Sequence, residues 1–213
     1  MNIEMFERLP QEKQEKILQA CLDEFAAYGF DAASTNRIVK QAGIPKGSLF
    51  QYFGGKESLF LYMIERIESE NERISRDQIE AIPSDFFEAI IHLFVKDLEY
   101  LKSSPKVVQL MRIIISQPLH PVYQKAQALG GQENSGQFRE IISAIPRDQL
   151  RDDIDFEDVI KIISVIIEAL EHRMNKLVIA REGSLEQMSR ELEVIIQDFR
   201  EFFAMLRFGV YKR

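Results

Sequence analysis

Apolar residues recur at steps of three and four along most of this chain, the period of a helix with one packed face. Near the C-terminus, Leu185, Met188, Leu192, Ile195, Phe199, Phe202 and Leu206 trace one seam, the spacing of helices that pack along their length. Val194, Ile196, Phe203 and Met205 widen that seam beyond a single stripe. The stretch before it, about 155–182, is apolar on more than one side. Phe156, Val159, Ile160, Ile163, Ile166, Ile167 and Leu170 fall on one register, and Ile162, Val165 and Ala169 on another. A helix that is apolar most of the way round is covered on two faces. Two such neighbours predict a helical-bundle interface with a second copy of the chain, with Phe156, Ile163, Ile167, Leu192, Ile195, Phe199 and Phe202 in it. The other reading of the same pattern is the core of a monomer.

Punctuation divides the rest into helices. There is no Asn-Gly or Asp-Gly hairpin signal and no alternating strand. Pro10 suits a first turn. Ser34 is placed to cap a helix over 35–42, and Gly43 to end it at the position after the last helical residue. Ser104-Pro105 reads as a cap followed by a first-turn proline. Asp85 with Glu88, and Ser184 with Gln187, have capping-box spacing. GGQENSG at 130–136 is an internal loop, and 146–155 is a second, polar break.

Composition narrows the class. The chain has 213 residues, 46% of them hydrophobic, enough for one generous domain or two small ones. It has one cysteine, Cys21, so no disulfide framework forms within it. The N-terminus MNIEMFERLPQEKQEK has charge where a secretion signal has an apolar core. The run IISVII at 162–167 is too short to cross a bilayer. The expectation is a soluble cytoplasmic protein with no membrane partner, in which Cys21 is a packing residue.

The net charge of -7 makes one stretch conspicuous. Residues 34–56 hold Arg37, Lys40, Lys46 and Lys56 and no acid, a local charge of +4. Its capped helix, the break at Gly43 and a second short helix over about 45–52 form a helix-turn-helix, bounded at about 34–53. Leu49 and Phe53, four apart, face inward against Ile38 and Ala42. Gly47 and Ser48 are small, which lets the second helix approach base edges in a major groove. Gln51 and Tyr52 are left outward or sideways. Lys56 opens the next helix, where an ammonium and free N–H groups suit a phosphate.

The stretch ILQACLDEFAAYGFDAASTNRIVKQAGIPKGSLFQYFGGKESL, 17–59, resembles the DNA-binding domain of the TetR family of transcriptional repressors. Phe25, Tyr28-Gly29-Phe30, Thr35, Ile38, Ala42-Gly43-Ile44, Lys46-Gly47-Ser48-Leu49, Tyr52-Phe53 and Lys56-Glu57 with Leu59 carry the resemblance. It implies an all-α dimer of about nine helices. An N-terminal three-helix domain, residues 1–55, would bind double-stranded operator DNA. Residues 56–213 would bind a ligand and dimerise through the last two helices. It implies phosphate contacts from Thr35, Tyr52 and Lys56 and a groove-facing surface of Lys46, Gly47, Ser48 and Gln51. The family's usual tyrosine is replaced by Phe50, whose role becomes apolar, as against a thymine methyl. Val39 replaces a small residue. The other readings are a core ring for Tyr52 and solvated side chains for Lys46 and Lys56.

The middle helices carry surplus apolar residues, which fit either an effector cavity or an ordinary core. Phe94, Leu98, Met111, Arg112, Ile115, Phe138, Val165, Glu168 and His172 are the candidate pocket residues. His92, Tyr100, His120, Tyr123 and Asn175 are further polar candidates. An apolar effector fits this composition better than a sugar or nucleotide. No metal-ligand cluster, P-loop, dinucleotide glycine motif or nucleophile elbow is present in the sequence, so neither an enzyme nor a cofactor is expected. A helical interaction protein without DNA, an activator, and a regulator without a small ligand stay open as alternatives.

Overall fold

The computed structural model describes residues 2–77, 83, 85–129, 155–179 and 185–208, and the regular structure among them is helical. The helices are α1 (Ile3–Glu7), α2 (Gln11–Ala32), α3 (Thr35–Ala42), α4 (Ser48–Phe53), α5 (Lys56–Asp77), α6 (Phe86–Ser103) and α7 (Pro105–Ser116). A helical segment at 121–129 is α8, followed by α9 (Phe156–Ile179) and α10 (Leu185–Phe208). The Ser184–Gln187 box and the 130–136 loop lie outside the described residues. Among those residues no helix is long and apolar enough to cross a membrane.

The chain gathers into two compact units, residues 1–70 with 104–132 and residues 71–103 with 133–213. The first holds the helix-turn-helix and also takes in α7 and α8. Its core runs through Phe6, Ile17, Cys21, Phe25, Ile38, Leu49, Phe53 and Phe60. The sequence reading has no α1, because five residues are too few to show a period. Yet Phe6 is fully buried, its ring 4.9 Å from Phe53 and 5.6 Å from Tyr62. The Asn2 N–H donates to the Tyr52 carbonyl at 2.9 Å, which ties the start of the chain to α4.

A kink near the end of α2 shapes this unit. Gly29 has φ 67° and ψ -177°, a region essentially reserved for glycine. A Cβ there would stand 3.1 Å from the Tyr123 hydroxyl and 3.5 Å from a methyl of Ile113. The Phe30 N–H donates to that hydroxyl at 2.7 Å. Burial pushes the Tyr123 phenol up, against the lowering effect of this bond.

The second unit packs α6, α9 and α10 around Ala89, Ile90, Ile91, Ile160, Ile163, Ile166 and Phe203. The Asp85 carboxylate accepts from the N–H groups of Phe87 and Glu88, each at 3.1 Å, and pairs with Arg207. That is the side-chain cap its spacing with Glu88 predicts. Asp155 caps α9 in the same way, through the Glu157 N–H at 2.8 Å.

Two predicted interface residues are corrected here. Ile163 and Ile195 are buried inside the protomer, so they belong to its interior. Phe156 and Phe199 are partly buried against the same core, and the Ile167 and Leu192 side chains lie outside the described residues. Among the described residues, the large apolar groups left open on these helices are Ile162 and Val165 on α9, and Val194, Phe202, Met205 and Leu206 on α10. The reason is phase: on a helix apolar all round, periodicity does not say which stripe faces in.

Candidate nucleic-acid interface

The helix-turn-helix forms from local signals. α3 ends where Gly43 enters the left-handed region at φ 68°, its N–H bonded to the Val39 carbonyl. The chain turns, the Ser48 N–H closing on the Pro45 carbonyl at 3.0 Å. α4 then runs only from Ser48 to Phe53 and stops at Gly54 with φ 75°. It starts later than the predicted position 45. Leu49 and Phe53 are buried with Ile38 and Ala42, the packing that their spacing predicts. That packing leaves Lys46, Gly47, Phe50 and Gln51 exposed and Thr35 and Ser48 partly so.

Gly47 is informative. Its φ of -74° and ψ of -18° are open to any residue. An added Cβ meets nothing within 4 Å. Among the described residues nothing calls for glycine at this point, and its lack of a side chain leaves the backbone open to close approach. Phe50 beside it is 52% exposed, an apolar ring presented to solvent on the same short helix.

The electrostatics differ from the count. Arg37 does not project as a free cation. Glu24, 4% exposed and outside the acid-free window, accepts from the Arg37 Nε at 2.8 Å and from the Ser34 N–H at 2.7 Å. Arg37 also donates to the Ala32 carbonyl at 2.9 Å and stacks 4.2 Å from the Tyr28 ring centre. The hydrogen bonds to Glu24 raise its already high pKa further, against desolvation. The Ser34 side chain makes no cap bond to α3; its backbone serves Glu24 instead. Asp23 also holds α3, accepting from the Gln41 amide at 2.7 Å. Burial pushes its carboxyl up, but hydrogen bonds from Lys106, Gln19 and Gln41 outweigh that and lower it.

Two implied phosphate contacts are corrected. The Lys56 ammonium donates to the Asp31 and Ala33 carbonyls at 3.0 and 3.2 Å and lies 4.6 Å from the Phe30 ring centre. It closes the end of α2 rather than standing free. Tyr52 is 8% exposed, its ring 5.8 Å from Phe6, so it is chiefly a core ring. Both are drawn inward by partners distant in sequence.

The candidate effector residues fall in both units. Met111, Arg112 and Ile115 are partly buried on α7 of the first unit. Val165 is 65% exposed, and Glu168 and His172 are exposed on α9, so these three are open to solvent among the described residues. The Phe94 and Leu98 side chains, and all of Phe138, lie outside the described residues. An open cleft of about 320 Å³ in the second unit is lined by Arg173, Lys176, Glu191, Val194 and Ile195, none of them predicted for the pocket. Tyr123 and His120, considered as ligand contacts, face α2 instead: His120 Nε2 is 3.3 Å from the Asp31 carboxylate.

Cys21 is fully buried, and burial pushes its thiol up to about 12. The thiolate is the reactive form. Native protein is therefore expected to resist alkylation by iodoacetamide at neutral pH and to react at once in denaturant. Fast native labelling would contradict this placement.

Residues 17–63 match the family model described as bacterial regulatory proteins, tetR family. The HTH-type transcriptional regulator YxaF of Bacillus subtilis (strain 168) is 32% identical over 123 residues, 54% of this chain and 63% of YxaF. LmrA of the same organism is 33% identical over 90 residues, 41% of this chain and 46% of LmrA. The chain thus spans less than two thirds of the length of these curated relatives. In fold, a transcriptional regulator from Pseudomonas aeruginosa PAO1 is similar at TM-score 0.66 and 16% identity, over 98% of this chain and 97% of that one. FadR of Bacillus subtilis, solved in complex with stearoyl-CoA, is similar at TM-score 0.62 and 14% identity, over 92% of this chain and 99% of FadR. Identities this low bear on the fold alone.

Proposed function

We propose, from the match of residues 17–63 to the tetR family model and the likeness to YxaF, that this chain is a DNA-binding transcriptional regulator of that family and acts in the cytoplasm as a repressor. It binds a near-palindromic operator as a homodimer, through the last two helices, and leaves DNA when a small apolar effector binds. The observation that carries this reading is Gly47, exposed and unconstrained at the head of α4, beside Lys46, Ser48, Phe50 and Gln51. Lys46 supplies charge for a phosphate, and Gln51 supplies a donor and an acceptor for a base edge. Phe50 supplies an apolar face. The open apolar stripe on α9 and α10 supports a second copy of the chain, which presents two reading heads to two half-sites. An effector that binds the off-DNA conformation more tightly shifts the population away from DNA, and DNA weakens that effector by the same factor. The fold shared with a FadR that holds stearoyl-CoA makes a long acyl thioester the first effector class to try.

The test is selection of bound duplexes from a random library, followed by affinity measurement for Gly47→Ala. A near-palindromic consensus is expected. Gly47→Ala should leave the melting temperature unchanged or raise it, since glycine replacement at a compatible conformation stabilises by about 0.4–1 kcal/mol. The same variant should bind the selected duplex on the order of ten-fold more weakly, because its methyl occupies the approach. No enriched sequence, or full affinity in Gly47→Ala, would remove the basis of this reading.

A further inference from the structure

With Arg37 on Glu24 and Lys56 on two carbonyls, half of the acid-free window's charge is spoken for. Lys40 and Lys46 remain exposed, and no ion pair to either occurs among the described residues. A third cation reaches the same place from outside the window. Lys16, exposed on α2, puts its Nζ 3.8 Å from where a Cβ on Gly43 would stand. It too has no ion pair among the described residues. Gly43 is the left-handed residue at the turn of the helix-turn-helix. Lys40 lies three residues before it, on the same side of α3, and Lys46 three residues after it, within the turn. Lys16 thus reaches the turn that Lys40 and Lys46 flank in sequence, and none of the three has an ion pair among the described residues.

We propose that Lys16 is a DNA-backbone contact, delivered by α2 to the helix-turn-helix turn to neutralise a phosphate beside those met by Lys40 and Lys46. The proposal rests on the DNA-binding reading of this site. In a helix-turn-helix the second helix enters the groove by its N-terminal end while the first crosses the backbone. The connecting turn then runs beside a phosphate strand, and a lysine next to it meets an anion rather than a base. Such a contact adds affinity without sequence preference. It also accounts for a lysine that faces a glycine turn without an ion pair among the described residues. A residue of this kind is invisible in the window itself, since 27 positions separate Lys16 from Gly43.

The test is salt dependence. Affinity for a duplex selected from the random library is measured at several salt concentrations for the unmodified protein, Lys16→Gln, Lys16→Arg and Lys161→Gln. Lys161 is an exposed lysine of the other unit, paired with Asp158, and controls for a change in net charge alone. Each phosphate neutralised adds about 0.9 to the slope of log affinity against log salt. Lys16→Gln should therefore flatten the slope by about that amount and weaken selected and unselected duplexes alike. Lys16→Arg should restore the slope, and Lys161→Gln should keep it. An unchanged slope in Lys16→Gln, with tight binding by the unmodified protein, would overturn this contact and leave the DNA-binding reading intact. Absence of duplex binding by the unmodified protein would overturn both.

Discussion

Gly29→Ala is expected to lower the melting temperature by several degrees, the largest loss for a single added methyl in the first unit. The backbone at φ 67° and ψ -177° strains an L-residue by about 1–3 kcal/mol. The new methyl would also stand 3.1 Å from the Tyr123 hydroxyl, a neighbour fixed by its bond to the Phe30 N–H. For a chain of this size each kcal/mol moves the midpoint by roughly 2–4 °C. The double variant Gly29→Ala with Tyr123→Phe separates the two terms. Removing the hydroxyl relieves the crowding but leaves the strain, and it strips a partner from the Phe30 N–H, itself a loss of about 1–3 kcal/mol when unreplaced. The double variant should melt no higher than the single one. Recovery of the original midpoint would mean that crowding, not backbone conformation, sets the cost. Thermal unfolding followed by circular dichroism gives the answer.

Phe202→Asp should convert a dimer into a folded monomer and weaken binding to a two-half-site duplex by about 10²–10⁴-fold, the range that linkage of two sites contributes. Phe202 is 40% exposed in the protomer, so the charge has little to disrupt there and the melting curve of dilute protein should barely move. Ile163→Asp is the contrast. Ile163 is 1% exposed, and an unpaired carboxylate at that depth is expected to unfold the second unit. Light scattering during gel filtration reads the mass, and titration with one-half-site and two-half-site duplexes reads the linkage. A Phe202→Asp protein that remains dimeric would place the contact between subunits elsewhere on the chain.

What the sequence discloses here depends on the range of the interaction. The end of α3 is legible because Gly43 acts within a turn, on the Val39 carbonyl; its start is less so, because the Ser34 side chain makes no cap bond. The inward face of α4 is legible because Leu49 and Phe53 are four apart. Charge count is also local, but the fate of a charge is not. Arg37 meets Glu24 thirteen positions away and Lys56 meets Asp31 at twenty-five, and neither pairing leaves a pattern in the window. Tyr123 joins Phe30 across ninety-three positions. On α9 the difficulty is of another kind. Isoleucine, valine and alanine on every side erase the phase, so Ile163 and Ile162 look alike until a packed partner distinguishes them. The open stripe follows from the pattern, whereas the residues that form it do not.

The match to the family model begins at residue 17, but the packing of this unit begins earlier. Phe6 fills the space among Tyr52, Phe53 and Tyr62, directly behind the helix that would read DNA. A fragment cut where the family match begins would keep every residue of that helix and lose the ring on which it rests. The boundary drawn by similarity and the boundary drawn by steric support differ at this end of the chain, and the second is the one that keeps the support of α4.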